Sequence, residues 1–437
     1  MQHYAHQACI RCRNQKRKCS RLLPTCSRCK RLSLRCQYQG IEDDHKSPDS
    51  SGITQFALVS LSQSVQSHVF AIVGDDEAIA LSATRFFSTI HSWFPVINRD
   101  SYCTGLSRPR SKHSPDFSLL KLCVHLLGLY PTDGNMSSQM HGLYILATGL
   151  AASITAAGVS SLNLLQARIL LSFFEIAHGM YTAAYISMGA NMRAAAAMSP
   201  LPSQEAFDRL ESSDAVEDVH RVWGCLVTLD RYASLEMAKV PGPNELDSFD
   251  SEAQDLAVND LLRASCLLEE ALIHVYKPAP YDVKYDEAMP LIESLVMLRD
   301  SLGTNEKPAL SCPATAICRS ALIIMMENGH CLDHPPGKDC SPLSIALLQA
   351  DVEQFVTVCK DFMEKASSSG SIDIPVFFVH TIGTAALMIL RYLCDSSTTN
   401  AMSSVHALQR LLEAMSNRWL GASLYFEKIQ REIDLSA

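Results

Sequence analysis

The sequence predicts a mainly α protein, in which a small N-terminal cysteine cluster module precedes a large all-α helical domain. Three observations carry that prediction. Six of the 16 cysteines fall within the first 36 residues, in two halves of one repeated pattern. From about residue 76, apolar residues recur at helical spacing between Pro and Gly breaks, without the strand–helix alternation that builds a parallel sheet. Finally, 47% of the 437 residues are hydrophobic, enough for two or three domains, or for one large domain with an appendage.

The cysteine module comes first in the chain. Cys9, Cys12, Cys19, Cys26, Cys29 and Cys36 read C-x2-C-x6-C-x6-C-x2-C-x6-C, and the second half repeats the first at an offset of 17. Arg11 recurs as Arg28, and Arg13 as Lys30. The other ten cysteines are scattered, with no C-x2-C among them, and read as small buried hydrophobes. Met1 is followed by polar and basic residues rather than an apolar signal-peptide core. A reducing compartment is therefore expected, where clustered cysteines are metal ligands rather than disulfides. Two tetrahedral zinc sites need eight ligand positions, so six thiolates fill them only if two sulfurs each bridge both ions. By the internal repeat, the bridging pair should be equivalent in the two halves. The C-x2-C spacing suits a turn that opens a helix and aims two thiols at one ion. A module this small cannot fold on apolar burial alone, so metal binding should supply its folding free energy.

Charge separates the head from the body. Residues 1–40 hold ten Lys and Arg and no acidic residue, whereas the remaining 397 carry 27 basic and all 46 acidic residues, a net of −19. Two zinc ions and six thiolates together leave the loaded module at about +8, a footprint for phosphates. A polyanion partner is expected for the head only.

Residues 41–75 form a linker that opens with the polar run IEDDHKSPDSSG. Its second half supports two readings, a short dimerising coiled coil or an amphipathic piece docked on the main domain. Residues 76–437 form the helical domain. Asp214 before Val216, Val219 and Trp223, with Glu217 three residues on, reads as a capped amphipathic helix. Further helices are expected near 78–92, 117–129, 141–157, 162–177, 182–198, 256–276, 286–301, 313–328, 343–366, 375–394 and 401–417. Two stretches are nearly uncharged, 134–167 and Ile372–Leu390. They read as buried central helices rather than membrane spans, because the apolar run Leu143–Val159 is short of a span; no membrane partner is expected.

The helical domain shows no G-x-S-x-G, G-x-G-x-x-G or P-loop pattern. His330, Cys331 and His334 read as a polar loop and His178 as a packed core histidine. Met180, Met188, Met192 and Met198 read as core before ligand pocket. The segment Tyr425–Leu435 reads as an amphipathic terminal helix before an acidic activation surface. No catalytic residue is assigned, and the protein is expected not to be an enzyme.

The segment CIRCRNQKRKCSRLLPTCSRCKRLSLRC resembles the fungal six-cysteine zinc binuclear cluster of transcription factors, in its six cysteines, the basic run before the third, and Pro24 between the halves. The resemblance implies two zinc ions with Cys9 and Cys26 as the bridging ligands. It implies a first helix from about Ile10 to Lys16 that enters the major groove end-on and reads a CGG triplet, with Lys16 at the position contacting guanines. Arg13 and Lys18 match basic positions facing the cluster or the phosphates, and Arg17 joins them in the basic run. Gln15 stands where many relatives carry Arg or Lys, which puts one contact in doubt. Lys or Arg donating to guanine O6 and N7 is the commonest specific major-groove contact. A three-base-pair site recurs by chance about once per 64 positions, too often to address a promoter, so a second half-site is expected. That argues for a homodimer, with a monomeric mode left open.

Three further segments, 86–102, 170–199 and 217–232, resemble the helical regulatory domain that accompanies this cluster. They imply a regulatory role, more loosely over a metabolic or secondary-metabolite gene cluster, with room for an unidentified small-molecule effector. The expected function is a nuclear transcription factor on double-stranded promoter DNA. Arg13–Lys18 doubles as an import signal. The alternative is a helical enzyme or interaction protein with a zinc appendage that does not bind DNA.

Overall fold

The computed structural model describes residues 7–22, 25–32, 34, 36, 50–109, 113–198, 213–241, 256–277, 281–302, 310–331, 341–369, 374–393 and 399–436. Among these there are seventeen α-helices and no β-strand, only an isolated bridge between Thr132 and Asn135. The chain divides into two compact units, Met1–Ser60 and Leu61–Ala437.

The first unit contains two five-residue helices, α1 (Ile10–Asn14) and α2 (Ser27–Arg31). The linker residues 41–49 lie outside the described set. Helix α3 (Ser50–Ile72) runs through the boundary between the units. Its second half is docked on the helical domain: Val65, Val69 and Val73 stand four apart, all buried in the main core. The Gln66 amide also donates to the His113 carbonyl at 2.8 Å.

The second unit continues with α4 (Asp76–Ser88), α5 (Arg99–Leu106), α6 (Pro115–Leu126), α7 (Ser138–Ala156), α8 (Leu162–Ala177) and α9 (Tyr181–Met198). Then follow α10 (Ser213–Glu236), α11 (Leu256–Tyr276), α12 (Tyr281–Leu302), α13 (Pro313–Cys331) and α14 (Ser341–Ser369), and last α15 (Phe378–Met388), α16 (Thr399–Ser416) and α17 (Gly421–Ser436). Local chemistry sets the starts. Asp75, Asn98, Ser137 and Ser161 each accept backbone N–H groups of the first turn that follows, and Pro115 occupies a first-turn position where it sacrifices no hydrogen bond.

Four boundaries or placements differ from the sequence reading. Helix α5 falls outside the predicted set; eight residues with a glycine near the end give too little period to see. Helix α10 begins at Ser213, so Asp214 lies inside the first turn rather than capping it. Helix α1 stops at Asn14, two residues before the expected Lys16. Helix α7 is not a central buried helix. Met140, Leu143, Ala147, Leu150, Ala151 and Ile154 face the core, but Gly142 and Gly149 face open space and Ile145 is 57% exposed. Apart from Ile145, Gln139 and His141, its outer face is Gly, Ala, Ser and Thr, which expose little apolar area, so lack of charge does not force burial. The buried centre is α8 instead, with every residue from Ala167 to Ala177 buried except Arg168. The second uncharged stretch does become a buried helix, α15. No helix among the described residues is long and apolar enough to cross a membrane.

The core is knitted by aromatic rings from distant segments. Phe94 stacks on Phe173 of α8 at 5.1 Å, and Tyr232 of α10 meets Phe377 edge-on at 5.0 Å. Trp93 lies edge-on to both Phe377 and Trp419, and Trp419 donates its indole N–H to the Ile374 carbonyl at 2.9 Å. Two clusters of buried charges are paired, as burial favours. Asp351 binds Arg299 and Arg319, and Arg231, fully buried, binds Asp230 and Glu269.

Met188 is fully buried, with Met180, Met192 and Met198 packed partly buried against the core. His178 is buried against Phe174 at 4.3 Å, and burial pushes its imidazole down to about 3, so it is neutral. His334 and the side chains of His330 and Cys331 lie outside the described residues. The terminal segment forms α17, which buries Ala422, Tyr425 and Ile429 and leaves Leu435 84% exposed.

Candidate metal centre and nucleic-acid interface

The thiol cluster is built from two equivalent halves. Cys9 caps α1, and its sulfur accepts the Cys12 N–H at 3.5 Å; Cys26 caps α2 and accepts the Cys29 N–H at 3.4 Å. The backbone beyond each helix repeats as well. The Arg17 N–H reaches back to the Cys12 carbonyl at 2.8 Å, and the Leu34 N–H to the Cys29 carbonyl at 2.9 Å. The offset of 17 in sequence is therefore an offset of 17 in hydrogen bonding.

The sulfurs form two sets of four, Cys9, Cys12, Cys19 and Cys26, and Cys9, Cys26, Cys29 and Cys36, with the ligand atoms of each set within 4.8 Å of one another. Cys9 and Cys26 belong to both. Their sulfurs are 3.9 Å apart, Cys9 to Cys29 is 3.8 Å and Cys12 to Cys26 is 3.8 Å. A tetrahedral zinc with Zn–S near 2.3 Å places its sulfurs about 3.8 Å apart, 1.63 times the bond length. The thiols thus stand at the spacing two zinc ions sharing an edge require. Cys9, Cys12, Cys26 and Cys29 are buried, while Cys19 and Cys36 are partly exposed.

The cap geometry also sorts the thiols electrostatically. Burial acts to raise Cys9, Cys12, Cys26, Cys29 and Cys36, but the Cys29 N–H and neighbouring thiols donating to Cys26 bring it down to about 6, and Cys9 is lowered in the same way. Burial and the proximity of those two push Cys12 up to about 12 and raise Cys29. The two sulfurs common to both sets are the ones the peptide favours as thiolates, and a metal must displace the protons of Cys12 and Cys29.

The basic residues surround this cluster from outside. Arg13, Gln15, Lys16, Arg17 and Lys18 are all exposed. Lys16 has φ +50°, in the left-handed region. Its N–H donates to the Arg13 carbonyl at 3.0 Å, and with the Arg17 bond to Cys12 this is a Schellman closure with Lys at the position glycine normally takes. A non-glycine residue there costs about 1–2 kcal/mol. This is why the helix stops short of Lys16. Lys16 is carried, exposed, on the turn after α1.

The fold and this site define one class: a two-metal cysteine module with a cationic surface, attached to a large all-α domain. Residues 7–44 match the Fungal Zn(2)-Cys(6) binuclear cluster domain, and residues 83–253 match the Fungal specific transcription factor domain. The second match takes in all three segments whose pattern resembled a regulatory domain. A relative, "Transcription factor BOA15" of Botryotinia fuckeliana (strain B05.10), is 31% identical over 116 residues, which is 26% of this chain and 63% of that protein. Both matched domains are those of fungal transcription factors carrying a zinc binuclear cluster, and the chain spans less than two thirds of that relative's length. The chain's cofactor is a pair of zinc ions.

Proposed function

We propose that the chain is a nuclear regulator that binds double-stranded promoter DNA through its zinc cluster and reads CGG-type triplets. Cys9 and Cys26 bridge the two ions; Cys12 and Cys19 complete one site, Cys29 and Cys36 the other. Lys16 donates to guanine edges, Arg13, Arg17 and Lys18 hold the phosphates, and Gln15 makes a weaker contact than a cation would. The observation that carries this reading is the pair of four-thiol sets sharing two sulfurs, flanked by the exposed run from Gln15 to Lys18.

The helical domain supplies regulation, over genes of a metabolic or secondary-metabolite cluster and in response to a small-molecule effector. A triplet alone is too short an address, so the protein binds paired half-sites as a homodimer. Sites selected from random DNA by the full-length, zinc-loaded protein test this reading. Enrichment of paired CGG-type triplets, abolished by a strong chelator, is expected. Binding that survives the chelator, or no enrichment over random sequence, would overturn it. A single enriched triplet would remove the dimer.

A further inference from the structure

The DNA-binding reading leaves one cleft of the helical domain unexplained. It opens beside α5 and the starts of α6 and α8, with Asp218 of α10 at its edge, and has a cavity of about 160 Å³. Tyr102 and Phe117 line it with rings 5.4 Å apart. Gly105 makes room for them: a Cβ there would stand 2.6 Å from the Phe117 ring.

The polar side of the cleft is unevenly satisfied. Asp218 is neutralised, since Arg221 donates to it at 2.7 Å and the Asn98 amide at 2.9 Å. Arg108, exposed at the mouth, makes no side-chain hydrogen bond or ion pair among the described residues. Gln166 is only 4% exposed and donates its amide to the Val96 carbonyl at 3.0 Å, which fixes the group and leaves its oxygen without a partner. Tyr102 is 3% exposed, and its hydroxyl has no partner among the described residues. Neither atom is sealed from the cleft, and buried side chains nearly always pair their polar atoms, so both are open to a ligand there. The order of charges fixes its polarity: the one acidic group is spent, and the cation is not. The cavity is smaller than the roughly 300–1,000 Å³ of drug-sized ligand sites, which limits the occupant to a small molecule.

We infer that this cleft binds a small hydroxylated carboxylic acid. Its carboxylate lies on Arg108, its apolar body against Tyr102 and Phe117, and its hydroxyl donates to the Gln166 oxygen. The inference deepens the effector part of the proposed function and rests on the helical domain being regulatory.

Titration calorimetry on the full-length, zinc-loaded protein tests it with three probes: 4-hydroxybenzoate, benzoate without the donor, and 4-hydroxybenzamide without the charge. 4-Hydroxybenzoate should bind at least about tenfold more tightly than either, the factor that separates a satisfied from an unsatisfied polar contact. Arg108→Ala, at an exposed position, should remove the preference for the acid over the amide. Gln166→Leu should remove the preference for the hydroxylated acid over benzoate. No heat from any probe at millimolar concentration, or unchanged binding in Arg108→Ala, would overturn the assignment. The same preparation is assayed for binding to a CGG duplex. Normal DNA binding without acid binding sinks the cleft alone, whereas acid binding without DNA binding sinks the broader reading and leaves the cleft.

Discussion

Replacing Glu236 by Gln should change the stability of the helical domain in a pH-dependent way with a defined sign. Glu236 ends α10 and is partly buried, with Tyr425 donating to its carboxylate at 2.8 Å and Tyr181, Tyr232 and Lys428 nearby. Burial outweighs these neighbours and lifts its carboxyl from 4.5 to about 7. The folded state therefore holds a proton that the unfolded chain releases between pH 4.5 and 7. A state that binds more protons is favoured at low pH, so this group's contribution is complete below pH 4.5 and is lost as pH rises through 7. At 1.36 kcal/mol per pH unit, ionising Glu236 costs the fold about 3 kcal/mol above pH 7. Gln fills the same space, keeps an oxygen for Tyr425 and carries no charge. Wild type and Glu236→Gln should be close in stability at pH 5, and the variant should be more stable by up to about 3 kcal/mol at pH 8. Urea unfolding of both proteins, followed by circular dichroism from pH 5 to 8.5, measures the difference directly. Comparing the two proteins at each pH cancels other titrations, such as those of His178 and His380, which burial holds near 3. A stability difference that stays flat from pH 5 to 8, or a variant weaker at pH 8, would refute the reasoning.

Further outcomes follow from the same structure. Lys16→Gly should relieve the left-handed strain, making the zinc module more stable by about 1 kcal/mol, yet abolish discrimination between CGG and mutated triplets; fluorescence anisotropy and metal-dependent melting read the two effects separately, and loss of stability with retained discrimination would contradict both. Cys9→Ser removes a sulfur common to both sets and should lose both zinc ions. Cys19→Ser, which touches one set, should leave a partly loaded module; equal zinc stoichiometry in the two variants by elemental analysis would count against a bridging role. Gly383→Ala places a Cβ 2.1 Å from the Tyr425 ring between buried helices and should cost about 1–3 kcal/mol by overpacking; an unchanged melting temperature would show that α15 and α17 can separate. Asp351→Ala strips the carboxylate from Arg319 and leaves Arg299 only Asp300, and should cost about 3–5 kcal/mol, measured by denaturant unfolding.

The metal centre was legible in the sequence because its geometry is local. The six cysteines of the cluster lie within 28 residues, and ligand counting together with the repeat predicted an equivalent bridging pair in the two halves. The cap hydrogen bonds of Cys9 and Cys26 are short-range consequences of C-x2-C opening a helix, and the charge of the module needs only counting. Most of the helices were legible for a similar reason, since periodicity and capping act within a few residues. Three features were not. The left-handed turn at Lys16 is set by a closure that bonds Arg17 to Cys12, and lysine gives no propensity signal for it. The exposure of α7 against the burial of α8 depends on which neighbours cover each face, which composition cannot state. The cleft at Arg108 draws on α5, which left no periodic trace, and on side chains as far apart as Asn98 and Asp218; the surroundings of Glu236 likewise join α9, α10 and α17. Charge, ligand spacing and helical period are properties of neighbouring residues and are written along the chain. Burial, unpartnered groups and the shape of a cavity are properties of surfaces brought together from distant segments, and only their packing fixes them.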